Sequence, residues 1–161
     1  MSFRRLFVGV LALAAATPAS AHGPGHDMGG GQPGDAAKVT RTIEVVASDN
    51  EFSLKSLQVK DGETVRFVVR NDGLDPHELL IGTTAAHAEH RKMMKEMMAA
   101  QKSGGHAHAM AMDAHQSGAT VAPGKTATFV WSFARTPNLE FACDIPGHYE
   151  DGMHGPITFS R

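Results

Sequence analysis

Three side chains that bind metals share one short stretch near the C-terminus, Cys143-Asp-Ile-Pro-Gly-His148-Tyr-Glu-Asp-Gly-Met153. A thiol, an imidazole and a thioether are soft and borderline donors. The first-row metal they suit is copper, held by two His and one Cys with a long, weak axial Met. Each residue taken singly has an ordinary reading. A strand cysteine is most often a small buried hydrophobe, a loop histidine is solvated, and a methionine packs. The spacing Cys-x4-His-x4-Met is more specific than any of the three alone. Zinc is the competing metal, but thioethers are poor zinc ligands, and zinc would more readily recruit Asp144 or Glu150. Cys143 is the only cysteine, so it has no disulfide partner within the chain. A metal would also protect its thiol.

The stretch lacks one histidine, and His77 supplies it. His77 follows Pro76 at a strand end, where its side chain is aimed with little freedom. Two strands of a sandwich end converge from distant parts of a chain. The expected set is therefore His77, Cys143, His148 and Met153. The Cys143 thiolate makes the strong bond, His77 and His148 complete the trigonal plane, and Met153 lies on the axis.

The elements that position these residues read as β-strands. Thr42-Ile-Glu-Val45 alternates, with Ile43 and Val45 inward. Phe52, Leu54, Leu57 and Val59 form a second apolar segment, ended by Asp61-Gly62. Thr64 to Arg70 alternates with Val65, Phe67 and Val69 on one face, and Asn71-Asp-Gly73 ends it. Leu79-Leu-Ile81 is short and apolar. After Pro123-Gly124, Phe129, Trp131 and Phe133 share a face. Leu139, Phe141 and Cys143 share the next, and Ile157 and Phe159 close the chain. About seven or eight short strands with turn punctuation predict an all-β, Greek-key β-sandwich.

With these residues in view, the chain resembles the cupredoxins, the type 1 blue-copper family of azurin, plastocyanin, pseudoazurin and auracyanin. Pro146-Gly147-His148 is similar to the azurin and auracyanin ligand loop, and Pro76-His77 to the plastocyanin first-ligand site. The likeness covers residues 40–83 and 119–161. It is nearest to periplasmic copper-tolerance cupredoxins that carry His/Met-rich additions. It implies a type 1 copper site on a β-sandwich and a role in handling periplasmic copper. Two positions depart from the pattern. Many cupredoxins have Asn after the first His ligand and Ser or Thr after the Cys, where this chain has Glu78 and Asp144. Two carboxylates there would lower the potential by favouring oxidised copper.

Residues 84–118 interrupt the strands. Thr83 or Thr84 caps a predicted helix from Ala85 to Lys102, which Gly104-Gly105 stops. The insert carries His87, His90, Met93, Met94, Met97, Met98, His106, His108, Met110, Met112 and His115. One methionine stripe is ordinary packing of a helix on a sandwich. Two stripes, with His-x-His and Met-x-Met beyond, point to a flexible arm that collects further copper weakly, since thioethers select Cu(I).

Residues 1–21 read as a secretory signal: Arg4-Arg5, apolar Leu6 to Ala16, and Ala19-Ser-Ala21. Residues 22–38 read as a flexible lead in which His22, His26 and Met28 are either further weak donors or incidental residues of a linker. The cupredoxin domain is 39–161. Without Arg4 and Arg5, 13 basic side chains face 17 acidic ones, a formal charge of −4 with no basic patch, so nucleic acid is not expected as a partner. The reading is an exported periplasmic type 1 copper protein, not an enzyme, that carries one electron between Cu(II) and Cu(I) in copper tolerance. Its partner would be a redox or copper-transport protein; it would be a monomer with no membrane span once mature. The alternative is a copper chaperone or sequestering protein working through the insert. A cuprous oxidase is disfavoured, because it needs further dedicated histidines.

Overall fold

The computed structural model describes residues 28–102 and 117–161. The expected signal segment, His22 and His26, and the loop donors His106 to His115 lie outside them. Among the described residues, ten strands form two five-stranded sheets. The first sheet runs β1 (Gly31–Pro33), β8 (Thr126–Phe133), β5 (Thr64–Asn71), β2 (Arg41–Ser48), β3 (Glu51–Phe52). The second runs β4 (Leu57–Val59), β10 (His154–Phe159), β9 (Leu139–Ala142), β6 (His77–Thr83), β7 (Gly118–Val121). The pairs β2–β5 and β4–β10 are parallel, and the others are antiparallel. One helix, α1 (Thr84–Lys102), leaves β6 directly. Ten strands exceed the seven or eight expected because β1, β3 and β4 are only two or three residues long.

Alternation puts Val45, Val65, Phe67, Val69, Trp131, Phe133, Phe141 and Ile157 into one core between the sheets. Phe67 stacks on Phe129 at 4.9 Å, and Phe52 meets Phe141 edge-on at 5.9 Å. Two strands break the inside–outside rule. All of β9 and His77 to Gly82 of β6 are buried on both faces. Their outer face is covered by the segment at Met28 and by α1. Met28, read from the sequence as a loose copper donor, is instead a packing residue, 6 % exposed. Its carbonyl accepts from Thr83 N at 2.9 Å, and a Cβ at Gly82 would stand 3.0 Å from its side chain. From Met28 onward, the lead expected to be flexible through residue 38 is likewise built in: β1 pairs with β8, and the Asp35 side chain caps a 3-10 turn at Ala36–Lys38.

The loop that delivers His77 is fixed by Asn71. This side chain is fully buried, donates to the carbonyls of Asp75 (2.8 Å) and Val121 (2.9 Å), and accepts from Gly73 N (2.8 Å). Asp49 adds a bond from Leu74 N at 2.8 Å. Removing the Asn71 amide strands the buried Val121 carbonyl and the buried Gly73 N–H, and releases the carbonyl of exposed Asp75. Asn71→Ala is expected to cost about 3 kcal/mol in denaturant unfolding of the copper-free protein, with the m-value unchanged.

Candidate metal centre

His77 opens β6, and Cys143 directly follows β9, the neighbouring strand. From Cys143 the chain winds through tight turns: His148 N donates to Ile145 O (3.0 Å), Asp151 N to Gly147 O (3.1 Å) and Gly152 N to Tyr149 O (3.0 Å). Gly147 and Gly152 take φ of 101° and 105°, a region that favours glycine. The turns carry the chain back, so that Met153 N donates to His148 O (3.0 Å) and Cys143 N to Met153 O (2.9 Å). One loop thus ties three of the four expected ligand residues together through the backbone.

The donor atoms of His77, Cys143 and His148 all lie within 4.8 Å of one another. Nδ1 of His77 is 3.2 Å from Nδ1 of His148, which is 3.4 Å from Sγ of Cys143. Both imidazoles turn the same nitrogen toward the thiol. His77 and Cys143 are fully buried, and His148 is partly exposed. Two imidazole nitrogens and a thiol crowded in a largely buried pocket are a donor set for a thiophilic cation, and they fit a type 1 copper site. Met153 is also fully buried, on the residue bonded by backbone to both Cys143 and His148. It therefore adds nothing to a docking surface.

Burial pushes the Cys143 thiol up to about 12, against the pull of backbone N–H groups of Glu78 and Ile145. The Glu78 N–H reaches Sγ at 3.3 Å. His77 is lowered by burial and by His148, with Asp49 opposing; its Nε2 is 3.8 Å from Asp49 Oδ1. The carboxylate is beyond hydrogen-bond reach of Nε2 but its charge faces the ring from behind, and the sequence reading missed it.

Glu78 and Asp144 were expected to act on the metal as two bare charges. Asp144 does not stand bare. Its carboxylate is buried and turned outward to α1, where His87 Nδ1 (2.7 Å), His90 Nδ1 (3.0 Å) and Arg91 Nη1 (3.2 Å) surround it. Burial would raise its pKa, but the bonds and charges of His87 and His90 outweigh this and hold it at about 2. His87 and His90, counted in the sequence with the flexible copper-collecting arm, are 0 % and 7 % exposed and belong to this cluster. A signal for it was present. Glu78 and Glu140 are acidic positions on the neighbouring strands β6 and β9, Asp144 follows just after β9, and His87, His90 and Arg91 lie at helical spacing. The expected cap is present, with Ala86 N donating to Thr83 Oγ1 at 3.2 Å.

Because the free thiol holds its proton at neutral pH, copper uptake must release it. One proton should appear per copper bound in weakly buffered titration at pH 7. Apparent affinity should then rise about tenfold per pH unit between 7 and 9. A chelator competition series across that range checks the slope.

The profile described as "Copper binding proteins, plastocyanin/azurin family" matches residues 39–160. The chain is 41% identical to the "Copper-resistant cuproprotein CopI" of Pseudomonas aeruginosa, over 95% of this chain and 92% of that one. It is 42% identical to the protein of the same name from Rubrivivax gelatinosus, over 87% and 79%. Among solved structures, auracyanin B superposes with a TM-score of 0.63 at 20% identity, over 83% of this chain and 97% of that one. An azurin from Methylomonas sp. strain J gives 0.53 at 15%, over 76% and 100%, so both show the shared fold. A converging thiol and two imidazoles on this sandwich, with the family profile spanning the same residues, show that the chain belongs to the plastocyanin/azurin family of copper-binding proteins.

Proposed function

We propose that the protein is a periplasmic one-electron carrier in copper tolerance, in which His77, Cys143, His148 and Met153 would hold the copper. The observation that carries this is the buried three-donor cluster with a single partly exposed edge, His148. Copper bound there supplies a one-electron Cu(II)/Cu(I) couple. The chain's own part is to hold the donors still. Asn71 anchors the loop before His77, Asp49 backs its ring, and the Glu78 N–H steadies the sulfur. Ligands that barely move between oxidation states keep reorganisation small. The His148 edge, beside exposed Gly147, gives a redox partner an outlet for the electron, whereas a substrate would have to reach donors that are buried. That supports a carrier over an enzyme. The tolerance setting rests on the name shared by the two relatives, and export rests on the Arg4 to Ala21 signal pattern. Among the described residues no helix is long and apolar enough to cross a membrane.

Copper sequestration is the second reading. It draws on Met93, Met94, Met97 and Met98, of which Met98 is 43 % exposed. It loses His87 and His90 to Asp144. Titration with Cu(II) separates the two readings. The carrier predicts an intense visible thiolate-to-copper band that saturates at one copper, bleaches with one electron, and vanishes in Cys143→Ser. Several coppers with no such band would make sequestration the function.

A further inference from the structure

Helix α1 lies along the ligand loop and grips it at three places. His87, His90 and Arg91 hold the Asp144 carboxylate. The Arg91 guanidinium sits 3.5 Å from the centre of the Tyr149 ring. Lys95 Nζ bonds Glu150 Oε1 at 3.0 Å. Tyr149 is held from its other side by His154, stacked at 4.2 Å, and its hydroxyl donates to Glu140 at 3.0 Å. Asp144 follows Cys143, and Tyr149 follows His148, so each grip is one peptide bond from a ligand residue or within two of it.

We infer that α1 is a working part of the metal centre, and that Asp144 is a positioning residue whose clasp on the helix sets how firmly the ligand loop retains copper. The inference rests on the type 1 reading of His77, Cys143 and His148. A buried carboxylate is tolerated only when it is paired. With its partners on α1, the stable position of Asp144 exists only while the helix is docked. The backbone bonds among Cys143, His148 and Met153 keep the loop folded upon itself. The Glu78 N–H on Cys143 Sγ and the Tyr149–Glu140 bond tie it to β6 and β9, and the clasp adds a hold from the α1 side. Opening the helix frees the residue next to the thiolate and uncovers Tyr149 beside His148. Copper leaves through a loop that opens, so a weakened clasp shows as faster release.

The test is a double-mutant cycle in the full protein with Asp144→Asn, His90→Ala and the pair; Arg91→Gln serves as a second helix-side variant. Cu(I) release to excess bathocuproine disulfonate is timed, and the visible band of the Cu(II) form is recorded. Each single variant should release copper about tenfold faster and shift the band, as loss of an outer partner of a ligand does. The double variant should be no faster than either single, because both break one clasp. In the copper-free protein each single variant should speed amide exchange in 84–102 and 144–150 together, while β2, β5 and β8 stay protected. Unchanged release in both His90→Ala and Arg91→Gln, with the helix exchanging faster, would overturn the inference and leave α1 a mere cover. Additive effects in the double variant would also overturn it, because Asp144 would then act by charge alone. Absence of a thiolate band in the unmodified protein is a different failure. It would remove the type 1 reading, and the copper-free exchange result would still report whether loop and helix move as one.

Discussion

A thiol and two imidazoles cannot be crowded into a dry space unless something rigid holds them there. Their polar atoms lose water, and the thiol resists giving up its proton, as its rise to about 12 shows. The sandwich meets this constraint by bringing two neighbouring strands of one sheet, β6 and β9, to the same end. His77 opens the first strand, and Cys143 follows the second. The registered backbone bonds between them set the separation of the two ligands. The apolar core beneath, with Phe67, Phe133 and Phe141 fully enclosed, resists any shift. The rest of the chain is arranged around keeping that end closed.

The closing is done in two ways with different physics. On the loop before His77, a neutral amide works: Asn71 satisfies two carbonyls and one N–H inside the fold. Such bonds are modest individually but costly to leave unmade. On the loop after Cys143, charge works. Asp144 takes a fully buried carboxylate to the outer face of the sheet, where two imidazoles and a guanidinium meet it. The same geometry explains why β6 and β9 are buried on both faces, a pattern more usual in sheets covered on both sides by helices. Met28 and α1 are the cover. The helix is therefore not an appendage beside the domain, even though its sequence composition resembles a collecting arm.

The division of the methionines follows from this docking. His87 and His90 face the sandwich near the start of α1 and are buried. Met93, Met94 and Met97 are partly exposed, and Met98 is the most open. Soft donors thus become accessible toward the C-terminal end of the helix, away from the clasp. A single insert combines a buried, ionic anchor with a more open thioether surface, and the two ends face different environments.

Much of this was legible in the residues themselves. The two-residue alternation in Val65–Val69 and Phe129–Phe133 identified strands, because a pleated chain must send alternate side chains to opposite faces. The spacing of Cys143 and His148, with Pro76-His77 upstream, pointed to the three donors that the fold brings together, because ligand chemistry is a property of the side chain. The helix and its Thr83 cap followed from propensity and local hydrogen bonding. Other features had no local signature. Met28 among glycines looked like a loose donor, His87 and His90 looked like neighbours of Met94, and Asp144 looked like a charge aimed at the metal. Each was decided by a partner some 50 residues away, at Gly82 for Met28 and at Asp144 for the two histidines. The sequence by itself determined which atoms could bind a metal and which segments would be strand or helix, since both depend on nearest neighbours and side-chain type. Only the tertiary structure decided which donors are free, because a histidine's availability depends on whether folding brings a buried carboxylate to meet it.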